Sequence, residues 1–159
     1  MSINPKDFRN TVGLFATGIT VITTVDENGK AIGLTANSFT SVSLNPPIIL
    51  VCIDRAVTSF SAFQTAGEFA VNILGSEQTE LSNKFATSGD EKWLGVEFET
   101  WTGRAPILLN CLANIECQTR EIHESGDHII ITGEVKSLAS KDGNPLLYWR
   151  GQYAQLKST

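Results

Sequence analysis

The sequence predicts a mainly β fold, an antiparallel barrel or sandwich that carries a few short helices. Many short segments are rich in β-branched residues or alternate in polarity, and turn signals separate them every ~8–12 residues. The helical patterns between them are few and short. The chain has 159 residues, and because a typical domain has roughly 100–200 residues, we expect one domain over residues 1–159.

The first predicted element is a helix near the N-terminus. Asn4 can cap it, because an asparagine side chain accepts a hydrogen bond from a free N–H of the first turn. Pro5 suits the first helical position. Phe8, Val12 and Phe15 follow at the spacing of one helical face.

Three strands are expected next. Residues 19–25 are rich in β-branched side chains, and Asn28-Gly29 is a strong hairpin signal. The returning strand covers about residues 30–39. Residues 47–54 are apolar at both alternating sets of positions, which predicts a central strand buried on both faces.

The middle of the chain combines helices and a strand. Thr58 or Ser59 caps a helix that Gly67 ends, and residues 68–74 form another strand. Ser76 caps the next helix.

The second half returns to strands. Residues 111–118 alternate like a half-buried strand, residues 121–126 form a turn, and residues 127–138 form a long strand. Two short strands near residues 146–149 and 153–156 follow.

Composition excludes several classes of function. The formal net charge is −5, and the lysines and arginines are scattered singly, so neither a nucleic acid nor an anionic membrane surface is an expected partner. The longest unbroken apolar run, residues 48–53, is far shorter than the ~20 residues of a spanning helix.

Cysteine and histidine usage points to a cytoplasmic protein without a metal site. Cys52, Cys111 and Cys117 contain no Cys-x-x-Cys pair, and we expect three buried free thiols in a reducing compartment. With only two histidines, His123 and His128, a His-rich metal site is excluded. The first residues contain no apolar signal segment.

The most unusual segment is an uncharged run over residues 31–53 that is rich in hydroxyl and amide side chains. One interpretation is a buried hairpin whose hydroxyl groups bond to backbone. The other is a site for a flat, neutral heterocycle such as isoalloxazine, which needs neutral donors and acceptors.

Motifs in this run and in several other parts of the chain resemble those of the short-chain flavin reductases. They start with Phe15-x-Thr17-Gly18-Ile19-Thr20-Val21-Ile22-Thr23-Thr24 and Gly33-Leu34-Thr35-Ala36-Asn37-Ser38-Phe39-Thr40-Ser41-Val42-Ser43-Leu44-x-Pro46-Pro47. Further matches are Phe69-Ala70-Val71-Asn72-Ile73-Leu74, Gly126-Asp127-His128 and Pro145-Leu146-Leu147-Tyr148-x-x-Gly151-x-Tyr153. The resemblance extends over about residues 8–156, and its most specific part is residues 35–47.

The resemblance implies a fold, an activity and partners. Members of this family are the reductase components of two-component flavin-dependent monooxygenases. They fold as an FMN-binding split barrel, an antiparallel Greek-key β-barrel, and act as homodimers. NADH or NADPH gives a hydride to FMN or FAD, and the reduced flavin passes to a separate oxygenase component.

The resemblance also implies roles for individual residues. Ring contacts fall on Thr35, Asn37 and Ser38, and the lining of the ring and ribityl chain on Cys52, Ile53 and Asp54. Residues near the flavin phosphate are matched by Thr58, Ser59, Lys84 and Phe85. Residues beside the nicotinamide are matched by His128 and Tyr153, whereas His123 receives no role.

Reasoning from the residues supports two of these assignments. Ser59 is expected at a helix N-terminus, where free N–H groups favour anions. His128 alternates with Ile129 and Ile131, so it should point away from the core toward a cleft.

Two other functions stay open at this point. The protein could retain its flavin and pass electrons to another acceptor, such as ferric iron or a quinone. It could also bind flavin without a nicotinamide site.

Overall fold

The computed structural model describes residues 2–157. Within this range the chain forms three α-helices and twelve β-strands. The helices are α1 Pro5–Val12, α2 Phe60–Thr65 and α3 Thr79–Phe85. The first six strands are β1 Thr17–Gly18, β2 Thr20–Val25, β3 Ala31–Ala36, β4 Phe39–Leu44, β5 Pro47–Asp54 and β6 Glu68–Ile73. The others are β7 Phe98–Glu99, β8 Ile107–Leu108, β9 Ala113–Ser125, β10 His128–Ser140, β11 Leu147–Trp149 and β12 Gln152–Ala154.

Seven of these strands form one antiparallel sheet in the order β3-β2-β6-β9-β10-β5-β4. Strands β1, β11 and β12 form a smaller sheet beside it. The predicted mainly β, antiparallel architecture with few short helices is confirmed. None of the helices within residues 2–157 has the length and apolarity to cross a membrane.

The strand buried on both faces is β2. Ile22 belongs to the cluster that fills the large sheet, while Val21 packs in a second cluster that contains Phe85 of α3. All six residues of β2 are buried. Each of its faces is therefore covered by apolar side chains, which explains the density of β-branched residues there.

The structure corrects the interpretation of residues 47–54. Ile49, Val51 and Ile53 of β5 are buried, but the alternating residues Ile48 and Leu50 are only half-buried. Strand β5 has neighbours on both sides in the sheet, yet packing covers only one of its faces. The apolar residues on both faces of β5 therefore do not imply that both faces are buried.

Three further boundaries differ from the sequence interpretation. The returning strand, expected over about residues 30–39, ends at Ala36, and a separate strand β4 that was not predicted begins at Phe39. Strand β9 continues to Ser125, so the predicted turn over residues 121–126 shrinks to a tight connection at Gly126. Gly75, not Ser76, caps the 3₁₀ turn before α3, and its N–H donates to the Gln78 Oε1 atom at 2.8 Å.

Helix α1 forms as predicted but buries nothing. The Asn4 side chain accepts from the Lys6 N–H at 2.8 Å. Phe8 and Val12 are 58% and 50% exposed, and Phe15 beyond the helix is 79% exposed. The apolar stripe therefore lies on the outside of the chain.

Candidate functional site

An open pocket of about 320 Å³ lies beside α3, where β3 and β5 end and β10 begins. Its volume falls at the low end of the ~300–1,000 Å³ typical of organic ligand sites. The lining brings together residues from five separate parts of the chain. They are Leu34, Thr35, Ala36, Asn37, Ser38, Cys52, Asp54, Val57, Thr58, Ser59, Phe85, Ala86, Thr87, Ser88, Lys92 and His128.

Neutral polar groups form one wall of this pocket. The Thr35 hydroxyl donates to the Ser82 carbonyl oxygen at 2.6 Å, and the Ser38 hydroxyl donates to the Cys52 carbonyl oxygen at 2.9 Å. The alternative in which hydroxyl groups bond to backbone is therefore correct for these two residues. Asn37 lies between them and is exposed to the pocket.

Strand β5 presents alternate residues to the pocket. Cys52 and Asp54 line it, while Ile53 between them is fully buried in the core. Burial raises the pKa of the Cys52 thiol above its usual value. The prediction that Ile53 lies beside Cys52 in the site is corrected, because neighbouring strand residues point to opposite faces. Cys52 itself is half-buried rather than buried.

His128 lies at the start of β10, beside the end of β5. It pairs across the ladder with Asp54, and both residues line the pocket. Ile129 and Ile131 are buried, which confirms that His128 belongs to the opposite face. The His128 Nδ1 atom lies 2.7 Å from a carboxylate oxygen of Asp127. This contact lowers the pKa of the Asp127 carboxyl.

Thr58 and Ser59 reach the pocket just before α2. Neither hydroxyl forms a hydrogen bond within the described residues, and Ser59 does not cap the helix with its side chain. Because α2 has only six residues, its dipole contributes little. Two free hydroxyl groups, rather than a helix terminus, are what this edge offers to an anion.

The structure corrects the placement of Lys84. Its side chain lies in a different depression with Glu77, Glu80 and Glu97, and its amine donates to the Leu94 carbonyl oxygen. Lys84 therefore does not reach the pocket.

Lys92 lines the pocket in its place, and its amine donates to the Thr87 carbonyl oxygen at 3.3 Å. Burial lowers the pKa of the Lys92 amine, an effect that nearby Asp90 partly offsets.

Phe85 explains how Lys92 comes to the pocket. Its ring packs edge-on against Trp93 with the centroids 4.9 Å apart. A Cβ at Gly33 would come within 2.8 Å of the Phe85 ring, so only glycine leaves room for this packing without a shift. Trp93 anchors the 3₁₀ turn Asp90–Trp93, and Lys92 is the residue of this turn that directly precedes Trp93. Sequence reasoning missed Lys92, whose only signal was its position beside a large aromatic residue.

Tyr153 lies in a smaller depression of about 180 Å³ next to the pocket. The two share Thr35, Ala36, Asn37 and Ala86. The Tyr153 hydroxyl lies 2.7 Å from the Asn83 Oδ1 atom and 2.9 Å from the Ser82 hydroxyl. His128 and Tyr153 therefore flank the same strand end from two adjacent depressions.

The chemistry of this donor set fits a flavin. Neutral hydroxyl, amide and backbone groups at the end of β3 suit the carbonyl oxygens and ring nitrogens of an isoalloxazine, which carries no full charge. The hydroxyls of Thr58 and Ser59 and the amine of Lys92, which line the same pocket, suit a phosphate. The residues present therefore match both parts of the cofactor.

Comparison with known proteins gives the same result. The flavin reductase like domain family matches residues 12–157. A flavin-dependent monooxygenase reductase subunit, HsaB of Rhodococcus jostii, is 36% identical over 157 residues, which cover 98% of this chain and 80% of that protein. A probable flavin reductase of Rhizobium meliloti is 41% identical over 94% of this chain, which spans only 48% of that relative's length.

Solved structures agree closely with this fold. The flavin reductase PheA2 superposes with a TM-score of 0.89 at 40% identity, and the match covers 98% of this chain and 100% of that one. The NADH:FAD oxidoreductase SgcE6 of Streptomyces globisporus, in complex with NAD and FAD fragments, has a TM-score of 0.90 at 30% identity, covering 99% and 97%. The chain therefore belongs to the flavin reductase like domain family.

Proposed function

We propose that this protein is an NAD(P)H-dependent flavin reductase that transfers a hydride to FMN or FAD and supplies reduced flavin to a separate monooxygenase. The observation that carries the proposal is the pocket. It gathers eight of the ten residues expected at the flavin, all but Ile53 and Lys84, on one continuous surface.

The relatives' names support the reaction and its cofactors. One relative is an FMN reductase (NADH), SmoA of Agrobacterium fabrum, 38% identical over 96% of this chain and 86% of that protein. SgcE6 is an NADH:FAD oxidoreductase. HsaB is the reductase subunit of a flavin-dependent monooxygenase. Bound flavin supplies the hydride-accepting ring, and the protein supplies positioning.

The end of β3 orients the ring in this proposal. Ser38 is held by the backbone of Cys52 and Thr35 by that of Ser82, so the wall formed by these residues is ordered before a ligand arrives. Preorganised neutral donors also stabilise negative charge that develops on a reduced ring. Correct alignment of two reactants can contribute up to ~7–11 kcal/mol.

Lys92 takes the phosphate-binding role first assigned to Lys84. It lines the same pocket as the hydroxyl groups of Thr58 and Ser59. A lysine amine and two hydroxyl groups together provide the donors that a phosphate needs. His128 and Tyr153 keep their proposed roles beside the nicotinamide, since each lines a depression that Asn37 also lines.

A homodimer is part of the proposal. The exposed apolar residues of α1 and of the edge strand β4, where Leu44 is 94% exposed, offer surface that a second copy would bury. Aromatic and aliphatic residues of this kind are typical of interface cores. Light scattering at micromolar concentration should give twice the mass of the chain, and a monomeric mass would contradict this part.

The number of domains and the cellular location are also part of the proposal. The family match over residues 12–157 supports one domain over residues 1–159. A cytoplasmic location suits an enzyme that uses NADH or NADPH.

Measuring NAD(P)H oxidation with and without added FMN, FAD or riboflavin tests the proposal. A rate that saturates in free flavin is expected. A rate independent of added flavin would instead support a retained flavin that serves another acceptor. No oxidation with any flavin would support a binding protein without enzymatic activity.

A further inference from the structure

A second opening, of about 470 Å³, lies where the end of α1 meets the turn between β11 and β12. Its polar lining includes Arg9, Asn10 and Thr11 from the helix and Arg150 from the turn. None of its lining residues is a carboxylate. This opening shares no residue with the flavin pocket.

Both arginines are free to bind an anion. Over residues 2–157, neither guanidinium lies within ion-pair distance of a carboxylate. Two guanidinium groups without an ion-pair partner, at an opening that no carboxylate lines, favour an anion there even though the net charge of the chain is −5. Arginine also binds phosphate through paired, planar N–H groups.

The position of Arg150 is set by several contacts. Its N–H donates to the Gly13 carbonyl oxygen at 2.9 Å. Its guanidinium lies over the Trp149 ring, 4.6 Å from the centroid, and the Trp149 indole N–H donates to the Leu14 carbonyl oxygen at 3.1 Å. These contacts join the turn to the end of α1 and hold Arg9 and Arg150 at the same opening.

Arg150 also has an unusual backbone. Its φ is 50°, in the left-handed region that a residue with a Cβ rarely adopts. Gly151, which follows it, has a φ of 76°, so both residues of this two-residue turn have the positive φ that a type I′ hairpin turn requires. The hairpin turn therefore accounts for the backbone of Arg150.

The hairpin connects this opening to the nicotinamide side of the candidate site. Tyr148 and Tyr153 face each other across β11 and β12 and line the depression beside the flavin pocket. Arg150 lies two residues beyond Tyr148, in the turn that follows β11, so their Cα atoms are at most about 7 Å apart. A nicotinamide with its ribose spans a distance of the same order.

We propose that Arg9 and Arg150 bind the phosphate groups of the dinucleotide co-substrate. This inference rests on the proposed reductase function and extends it with a site for the end of NADH or NADPH that does not react. The co-substrate would lie along the β11–β12 hairpin, with its nicotinamide near Asn37 and its phosphates at the hairpin turn.

Two variants test the proposal, Arg9→Gln and Arg150→Gln, with Arg120→Gln as a control from an exposed ion pair on β9. The KM for NADH should rise about tenfold in each test variant, because a hydrogen bond to a charged group contributes on that scale. The kcat should change little. Dihydronicotinamide riboside carries no phosphate, so its KM should be the same in wild type and variants.

Titration calorimetry with ADP-ribose provides a readout that does not depend on activity. Binding should weaken about tenfold in each test variant and stay unchanged in Arg120→Gln, with thermal unfolding as the check on folding. Equal ADP-ribose affinity in all proteins, or an equal loss with the riboside, would overturn the phosphate site. A wild-type protein that oxidises neither hydride donor with any flavin would overturn the reductase function instead, while the calorimetry still decides the phosphate site.

Discussion

The Ser38 hydroxyl forms two hydrogen bonds with the backbone of Cys52 at the candidate flavin pocket. The Ser38 hydroxyl donates to the Cys52 carbonyl oxygen at 2.9 Å and accepts from the Cys52 N–H at 3.2 Å. These bonds connect the bend between β3 and β4 to β5, at the point where both segments line the pocket. One serine thus has a structural role in addition to any contact with a ligand.

Asn37→Leu and Ser38→Leu should therefore differ. We expect both to weaken flavin binding, because each removes a neutral polar group worth ~0.5–1.5 kcal/mol and adds bulk. Only Ser38→Leu should also lower the unfolding temperature, since it removes the bonds to Cys52. Fluorescence titration with FMN and thermal unfolding measure the two effects. Unchanged flavin dissociation constants in both variants would contradict the placement of the ring.

His128→Ala should act on the dinucleotide. We expect the KM for NAD(P)H to rise roughly tenfold, equivalent to about 1.4 kcal/mol, while flavin affinity changes far less. His123→Ala is the matched control, because His123 is exposed and does not line the pocket. Loss of flavin with an unchanged dinucleotide KM would assign His128 to the flavin site instead.

Lys92→Met and Lys84→Met distinguish the two candidate phosphate ligands. Lys92→Met should weaken FMN binding by roughly tenfold or more, because a charged hydrogen bond contributes ~1.5–3 kcal/mol. Riboflavin lacks the phosphate and should bind both variants like wild type. Lys84→Met should leave FMN affinity unchanged, and a loss there with no effect at Lys92 would restore the original assignment.

Thiol alkylation should report on the pocket. Cys52 is half-buried in the lining, whereas burial raises the pKa of Cys117 to about 12. We expect Cys52 to be the one cysteine that reacts in the folded protein, and to react slowly. Its rate should increase as the pH rises, because the thiolate is the reactive form. Saturating FMN should slow this reaction, and mass spectrometry after digestion identifies the modified residue. Equal rates with and without FMN would place the flavin away from Cys52.

Asn72→Leu should destabilise the fold. The Asn72 amide is fully buried, donates to Val21 and Thr23, and accepts from the Leu108 N–H and the Asn114 amide. Leaving these partners unsatisfied costs about 1–3 kcal/mol for each buried group, so we expect a loss of at least 2 kcal/mol in urea unfolding. Asn144→Leu, at an exposed position, should change the stability by less than about 0.5 kcal/mol.

Several elements of this fold could be predicted from the sequence, because interactions between neighbouring residues determine them. The β-branched run of β2, the Asn28-Gly29 turn and the Asn4-Pro5 helix start depend on near neighbours, and all three form as predicted. The uncharged run that contains Thr35, Asn37 and Ser38 likewise keeps its polar side chains at a strand end. Alternation along a strand places Cys52 and Asp54 on one face, and it could have excluded Ile53 from the site.

Tertiary packing decided the rest. Lys92, rather than Lys84, reaches the pocket because Trp93 packs against Phe85, a contact that no local pattern encodes. The half-exposed outer face of β5 could not be predicted from the sequence either, since burial depends on which elements cover a strand and not on its own apolar residues. Arg9 and Arg150 lie at opposite ends of the sequence and meet only because the β11–β12 turn bonds to the end of α1.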